Sequence, residues 1–225
     1  VVVRTGTIWS QQAKLTASDG VASDEFGWSL ALSGDTAVVG ARLNDTTAKD
    51  AGSAYVFVRT GTAWSQQAKL TASDGAADDH FGYSVALSGD TTLVGAVGHD
   101  AKGSGSGGAY LFVRTGTAWS QQAKLTASDG AAGDQFGSSA ALSGDTALVG
   151  SIYDDGNKGS AYVFVATANP TPAWTEQAKL VASGGAADDQ FGSSVALSGD
   201  TALVGSIYDD GKDWNSGSAY VFLRT

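Results

Sequence analysis

Acidic and aromatic residues recur at matching places in the glycine-rich loops of this 225-residue chain. Two loops carry Tyr-Asp-Asp-Gly, at 153–156 and 208–211, and a third has a histidine where those loops have their first aspartate. Exposed aromatic rings beside carboxylates suit the binding of a sugar or of a protein side chain. The predicted ligand-binding candidates are therefore His99, Tyr153, Asp154, Asp155, Tyr208, Asp209, Asp210 and Trp214.

Two other interpretations of these loops stay open. Asp and Gly also favour ordinary solvated turns, because both suit turn backbone geometry. Alternatively, the Asp-Asp-Gly segments could face acidic connectors and hold calcium, although the spaced pattern DxDxDG is absent. No other cofactor is predicted, and the sequence assigns no residue as a metal ligand.

Catalysis is not predicted. The chain has no cysteine, which excludes cysteine nucleophiles and zinc–thiolate sites, and its two histidines, His80 and His99, are unmatched in the other repeats. No GxSxG segment is present, and the GSGSGG run at 103–108 lacks a following helix that could bind phosphate. Adjacent carboxylates on a loop do not give the defined separation that glycoside hydrolysis needs. A propeller glycosidase or lyase is the weaker alternative.

An internal sequence repeat indicates which secondary-structure elements position these loops. The segment DQFGSSVALSGDTALVGS at 189–206 recurs with small changes, headed by Phe26, Phe81, Phe136 and Phe191 at a constant spacing of 55 residues. A period of this length is typical of propellers, solenoids and arrays.

One repeat predicts four antiparallel strands. FGYSVALS alternates apolar and polar residues, Gly89-Asp90 suits a two-residue hairpin, and TTLVGA follows as the second strand. After the loop, AYLFVRT and AWSQQAKLTAS supply the third and fourth strands. We therefore predict an all-β fold, a β-propeller of four-stranded antiparallel blades, forming a single domain over 1–225.

Two aromatic positions in each repeat are predicted to be structural. A phenylalanine can seal the junction between blades, and the glycine beside it lets a neighbouring backbone approach. A tryptophan 17 residues earlier is predicted to pack between blades as well. The residues are Phe26, Gly27, Phe81, Gly82, Phe136, Gly137, Phe191, Gly192, Trp9, Trp64, Trp119 and Trp174.

The Phe-Gly pair followed by LVGA or LVGS resembles the FG-GAP repeat of integrin α-subunit propellers, and the run ASDGAADDxFGxSVALSGDTALVG looks like its bacterial variety. This resemblance implies a β-propeller, extracellular or surface-attached, used for adhesion or ligand binding. In the integrin type, the loop between the first two strands carries a calcium site. Here that loop is only Ser-Gly-Asp, at 33–35, 88–90, 143–145 and 198–200, and one carboxylate cannot supply six to eight oxygens.

The two ends of the chain carry complementary strand sequences. The opening segment matches the third and fourth strands of a blade, and the closing GSAYVFLRT is a third strand. We predict that the N-terminal strand at about Trp9–Ala17 completes the last blade, because pairing would remove an exposed edge. Residues 1–5 then correspond to the same strand as residues 221–225, and both segments cannot occupy one place. The sequence leaves open a ring closed by four blades, an eight-bladed ring of two chains, and a segment of a longer array.

In such a blade the loops between the second and third strands share one face with the acidic connectors, and this face is called the loop face below. These loops lie at 43–52, 98–108, 153–159 and 208–217. Three extra residues in 165–174, a stretch with both prolines, are predicted on the opposite face. The net charge of −10 argues against nucleic acid, and no apolar run spans a membrane. The predicted function is non-catalytic extracellular binding or adhesion toward a protein or carbohydrate ligand. The alternative is a structural unit that assembles into a dimer or larger ring.

Overall fold

The computed structural model describes residues 1–167 and 173–225. The predicted position of the proline-containing insertion therefore lies outside the described residues. Within them the fold is all-β apart from one short turn of helix, α1 at Asp154–Asn157. The predicted fold class, an all-β propeller-type repeat, is confirmed.

The strands form consecutive antiparallel sheets, called blades here. Blade 1 contains β3 Leu30–Ser33, β4 Thr36–Ala41, β5 Ser53–Thr60 and β6 Ala63–Leu70. Blade 2 contains β7 Phe81–Ser88, β8 Thr91–Ala96, β9 Gly108–Thr115 and β10 Ala118–Leu125. Blade 3 contains β11 Phe136–Ser143, β12 Thr146–Ser151, β13 Ser160–Thr167 and β14 Ala173–Leu180. Blade 4 contains β15 Phe191–Ser198, β16 Thr201–Ser206 and β17 Ser218–Leu223, and an N-terminal hairpin contains β1 Val2–Thr5 and β2 Ile8–Gln11.

The hairpins form where the sequence places its turn residues. Gly89 has φ of +57°, which a glycine adopts without steric cost, and the pairing of Ser88 with Thr91 closes the two-residue turn. The outer hairpin of blade 2 contains an irregularity between Gln121 and Ala123, where the register shifts by one residue. The sequence pattern did not reveal this bulge, because an extra residue leaves the strand composition unchanged.

Blade 4 has three strands among the described residues, in the order β15, β16, β17. The N-terminal strand β2 pairs instead with β1, with Thr5 opposite Ile8 and Val2 opposite Gln11. This hairpin copies the register of the β5–β6 hairpin, in which Thr60 lies opposite Ala63. Completion of the last blade by the N-terminal strand stays a prediction.

Neighbouring blades pack face to face through the phenylalanines that head the repeats. Phe81, Phe136 and Phe191 are fully buried, and Phe136 makes edge contacts with Tyr162 and Phe164 at ring distances of 5.5 and 5.9 Å. The following glycine has positive φ, +97° at Gly137, and a Cβ there would lie 2.5 Å from the carbonyl oxygen of Gly108. Close backbone approach therefore requires glycine at this position.

The four recurrent tryptophans differ in exposure. Trp64, Trp119 and Trp174 are half-buried. Trp119 and Trp174 pack against the apolar clusters between blades, and Trp64 packs against the cluster between blade 1 and the N-terminal segment. Trp9 differs, because 66% of it is exposed. Trp119 is covered by both its own blade and the preceding one, where it donates to Gln67, whereas β2 forms a separate sheet with β1.

Candidate functional site

The loop face of blade 3 is built around one lysine. Lys179 on β14 donates to the carboxylates of Asp129, Asp154 and Asp155 at 2.7, 2.7 and 2.9 Å. The Tyr162 hydroxyl lies at 2.8 Å from Asp129 and 2.7 Å from Asp154. The cation that these clustered carboxylates meet is therefore the ammonium group of Lys179.

The same network recurs in the first two blades with fewer carboxylates. The Tyr55 hydroxyl donates to Asp19 at 2.8 Å, and the Tyr110 hydroxyl donates to Asp74 at 2.9 Å. Lys69 bonds to Asp19 at 2.5 Å and Lys124 to Asp74 at 2.8 Å. Each complete blade thus ties its connector to its third and fourth strands through a tyrosine and a lysine.

The last aspartate of each connector is buried and shapes the connector itself. Asp134 is 7% exposed, and its carboxylate accepts the backbone N–H of Ala131 at 2.6 Å. Asp24, Asp79 and Asp189 are 4%, 2% and 5% exposed and make the corresponding bond. These carboxylates serve turn geometry and are closed to a large ligand.

Three of the predicted binding residues face these buried aspartates from the loop 20 residues later. His99 Nδ1 lies 3.0 Å from Asp79, and the charge of Asp154 acts on Asp134. Asp209 accepts hydrogen bonds from Ser218, at 2.8 Å, and from Tyr220. The three are 8%, 3% and 8% exposed. Their side chains bond within the blade.

Burial and hydrogen bonding act in opposite directions on these carboxyl groups. Burial opposes ionisation of Asp74 and Asp129, but bonds from the blade's lysine and tyrosine outweigh it and hold each pKa below its ordinary value. For Asp19 the bond from Lys69 is the largest cause, and the pKa is again lowered. Burial, joined by the neighbouring charge of Asp154, instead raises the pKa of Asp134.

A pH prediction follows from these directions. Groups with a lowered folded pKa stabilise the protein above the unfolded value of about 4, and this stability is lost as pH falls through the folded pKa. Since Asp19, Asp74 and Asp129 belong to this group, the free energy of unfolding should fall on acidification. Urea unfolding at about pH 7, 5 and 3 measures this.

The Asp134→Asn variant is the matched control for that series. Because its raised pKa makes ionised Asp134 unfavourable, the neutral amide should preserve or increase stability above about pH 4. Asp129→Asn should lose stability in the same range and depend less on pH. Equal behaviour of the two variants would contradict the opposite pKa directions.

The other predicted binding residues are accessible. Tyr153 is half-buried, Asp155 and Asp210 are exposed, Tyr208 is 43% exposed and Trp214 is 81% exposed. Trp214 stands at the tip of the blade 4 loop. The backbone N–H of Trp214 donates to the Asp213 carboxylate at 2.8 Å, and the backbone N–H of the adjoining Asn215 donates to Asp210 at 2.7 Å.

This loop scaffold recurs while its tip varies. Asp210 accepts from the backbone N–H five positions later; in the same way the Asp50 N–H donates to Asp45 at 2.7 Å and the Gly105 N–H donates to Asp100 at 2.8 Å. The exposed tip residue inside the scaffold is lysine at 49, serine at 104 and tryptophan at 214. A fixed backbone therefore presents a different side chain in each of these blades, the arrangement that binding loops on rigid scaffolds use.

A further aromatic cluster was missed by the sequence analysis. The Trp28 ring lies 5.6 Å from the Tyr83 ring, and the Arg42 guanidinium lies 3.8 Å from the Trp28 centroid. Arg42 also pairs with Glu25 at 2.7 Å. Trp28 and Tyr83 share the position two residues after the repeat phenylalanine, where the other repeats have serine, and this difference was the available signal.

The described ranges, 1–167 and 173–225, contain no group of three or more His, Asp or Glu side chains arranged to hold a metal ion. No helix in the same part of the chain is long and apolar enough to cross a membrane.

Four repeated antiparallel sheets with a loop face define a β-propeller-type repeat domain. The family model of the FG-GAP repeat matches residues 9–57, 64–112, 119–164 and 174–222, and the chain belongs to the FG-GAP repeat family. Each match joins a fourth strand to the three strands of the next blade, so the family repeat is offset from the sheet. A comparison with curated proteins gave no match.

Proposed function

We propose that this chain is a non-catalytic binding domain, secreted or displayed at a cell surface, that recognises a protein or glycan through its loop face. The observation that carries the proposal is Trp214, which is 81% exposed and stands on a loop whose backbone is held by a hydrogen bond to the Asp213 carboxylate. Large aromatic residues dominate binding energies, and a pre-ordered loop loses little entropy on binding. Tyr208, Asp210 and Asp213 add stacking and hydrogen-bonding groups on the same loop.

The proposal predicts a specific loss in the Trp214→Ala variant. Binding to positive spots on a glycan array and a peptide array should weaken about tenfold or more, the usual effect of truncating a central aromatic residue. Trp28→Ala is the matched control, because it removes an exposed tryptophan outside this loop. Unchanged binding of Trp214→Ala at every positive spot would show that the ligand binds elsewhere.

A second function, self-assembly, is favoured by a different observation. Both ends of the row of blades expose apolar side chains whose counterparts are buried inside it. Leu203 and Val221 in blade 4 are 43% and 64% exposed, whereas Leu93 and Leu111 at the same positions of blade 2 are fully buried. Leu30 and Leu32 in blade 1 are 70% and 65% exposed. Exposed apolar faces of this kind mark interaction surfaces.

A further inference from the structure

A cavity of about 300 Å³ lies between blade 3 and blade 4. Its lining includes Val163, Gln177, Ala178, Leu197 and Phe222. The lining is mostly apolar and also includes the Gln177 amide and the ion pair of Arg224 with Asp200. The corresponding places between the other blades show what fills such a space.

A tryptophan of the fourth strand occupies the equivalent position at the earlier junctions. Between blades 1 and 2, Trp119 packs against the cluster that includes Ala68 and Leu87. Its indole N–H donates to Gln67 at 2.9 Å. Two repeats later in the sequence, the residues equivalent to these three partners are Ala178, Leu197 and Gln177, and all three line the cavity. The cavity therefore has the partners of an indole ring.

The N-terminal strand carries the matching groups. Residues 8–15 read IWSQQAKL, against AWSQQAKL in β6 and β10, with Trp9 66% exposed and Lys14 exposed. In blade 3 the equivalent lysine, Lys179, bonds to Asp154 beside Tyr162. Blade 4 has Asp209 and Tyr220 at those positions, bonded to each other. A lysine placed there would find an acidic partner.

We propose that residues 8–15 of a second copy of this chain add to blade 4 as its fourth strand, with Trp9 filling the cavity and donating to Gln177, and Lys14 pairing with Asp209. The inference rests on the proposed self-assembly and names its site. The copy contributes residues that the site lacks, so the contact runs head to tail.

The uniformity of the junctions favours a second copy over the chain's own N-terminus. Ser29, Ser84 and Ser139 each donate to the carbonyl oxygen of the glycine that follows the phenylalanine heading the next blade, at 2.7 Å in every case. With all three of these junctions formed, β2 pairs with β1 and not with blade 4, and the apolar side chains of both end blades stay exposed. A further copy can continue the row through the same junction without changing those inside the chain.

Docking of β2 requires β1 to leave. β1 covers the edge of β2 at Ile8 to Gln11, the edge that β17 would pair with in the register of β5 and β6. The β1–β2 pairing covers four residue pairs, whereas β5 and β6 pair at seven. Deleting residues 1–5 removes the competing strand, so association should tighten.

Cysteine pairing tests the register directly, because the chain has no cysteine of its own. Val58 lies opposite Ser65, which places Leu223 of one copy opposite Ser10 of the other. Mixing Ser10→Cys chains with Leu223→Cys chains under oxidation should give a disulfide-linked product of twice 22.6 kDa. Val221→Cys, out of register with Ser10, is the matched control and should give little product. A chain carrying both Ser10→Cys and Leu223→Cys that forms only an internal disulfide would show that its own strand fills the edge, which overturns the proposal.

Light scattering across a concentration series separates this site from self-assembly in general. Association of the intact chain should weaken at least tenfold in Trp9→Ala and in Lys14→Glu, and should be unchanged in Trp214→Ala. Association that persists in Trp9→Ala without the cysteine product would keep self-assembly and overturn this docking site. A mass of 22.6 kDa at every concentration, with residues 1–5 present or deleted, would overturn both.

Discussion

Replacing Gly95 by alanine should lower the free energy of unfolding by about 3 kcal/mol or more. Gly95 lies in β8 with a backbone conformation that alanine can adopt, so the cost is steric. A Cβ there would lie 2.1 Å from the carbonyl oxygen of Gly137 and 2.4 Å from the Ser84 hydroxyl. Because the first of these is backbone in the next blade, blades 2 and 3 must move apart and open the core between them.

Urea unfolding measures the effect, and Gly116→Ala is the control. Gly116 has φ of +64° and no atom within 4 Å of its Cβ position. Alanine there costs only the strain of a left-handed residue, about 1–2 kcal/mol. Equal losses in the two variants would mean that contact between blades does not fix this glycine. A loss at Gly95 with a lower slope against urea would indicate that the blades unfold separately.

The strands were predictable because their signals are local. β7 and β8 have the bounds that alternation and the Gly-Asp turn indicated, from Phe81 to Ser88 and from Thr91 to Ala96. Glycine beside a large apolar residue suits a close backbone contact, and a Cβ at Gly82 would lie 2.4 Å from the Ser53 carbonyl oxygen.

The loop face was harder to predict, because burial there depends on residues distant in the sequence. Asp154 and Asp155 are identical and adjacent, yet the first is 3% exposed and the second is exposed. Tyr162 and Lys179 decide which of them is enclosed, and nothing next to the pair announces those partners. The constant spacing of 50 residues between Asp129 and Lys179, repeated in two other blades, was the available clue.

Truncating Phe136 to alanine should destabilise the chain by about 3–5 kcal/mol, as for other buried phenylalanines. Phe136 is fully buried between blades 2 and 3 and contacts Tyr162 and Phe164. Blade 3 alone cannot refill the space, since the opposing wall belongs to blade 2 and includes Leu93 and Leu111. Denaturant unfolding of the dilute chain gives the magnitude.

Phe26→Ala is the matched variant, because Phe26 heads the first repeat and makes the same aromatic contacts within its blade, at 5.6 and 6.0 Å. It is only half-buried, since no complete blade precedes it among the described residues. In dilute solution its loss should be clearly smaller than that of Phe136→Ala, and equal losses would mean that the first face is already covered. If a second copy covers this face, the cost of Phe26→Ala should rise with protein concentration while that of Phe136→Ala stays constant. The pair therefore reports whether blade 1 is an end of the row or a junction within a longer one.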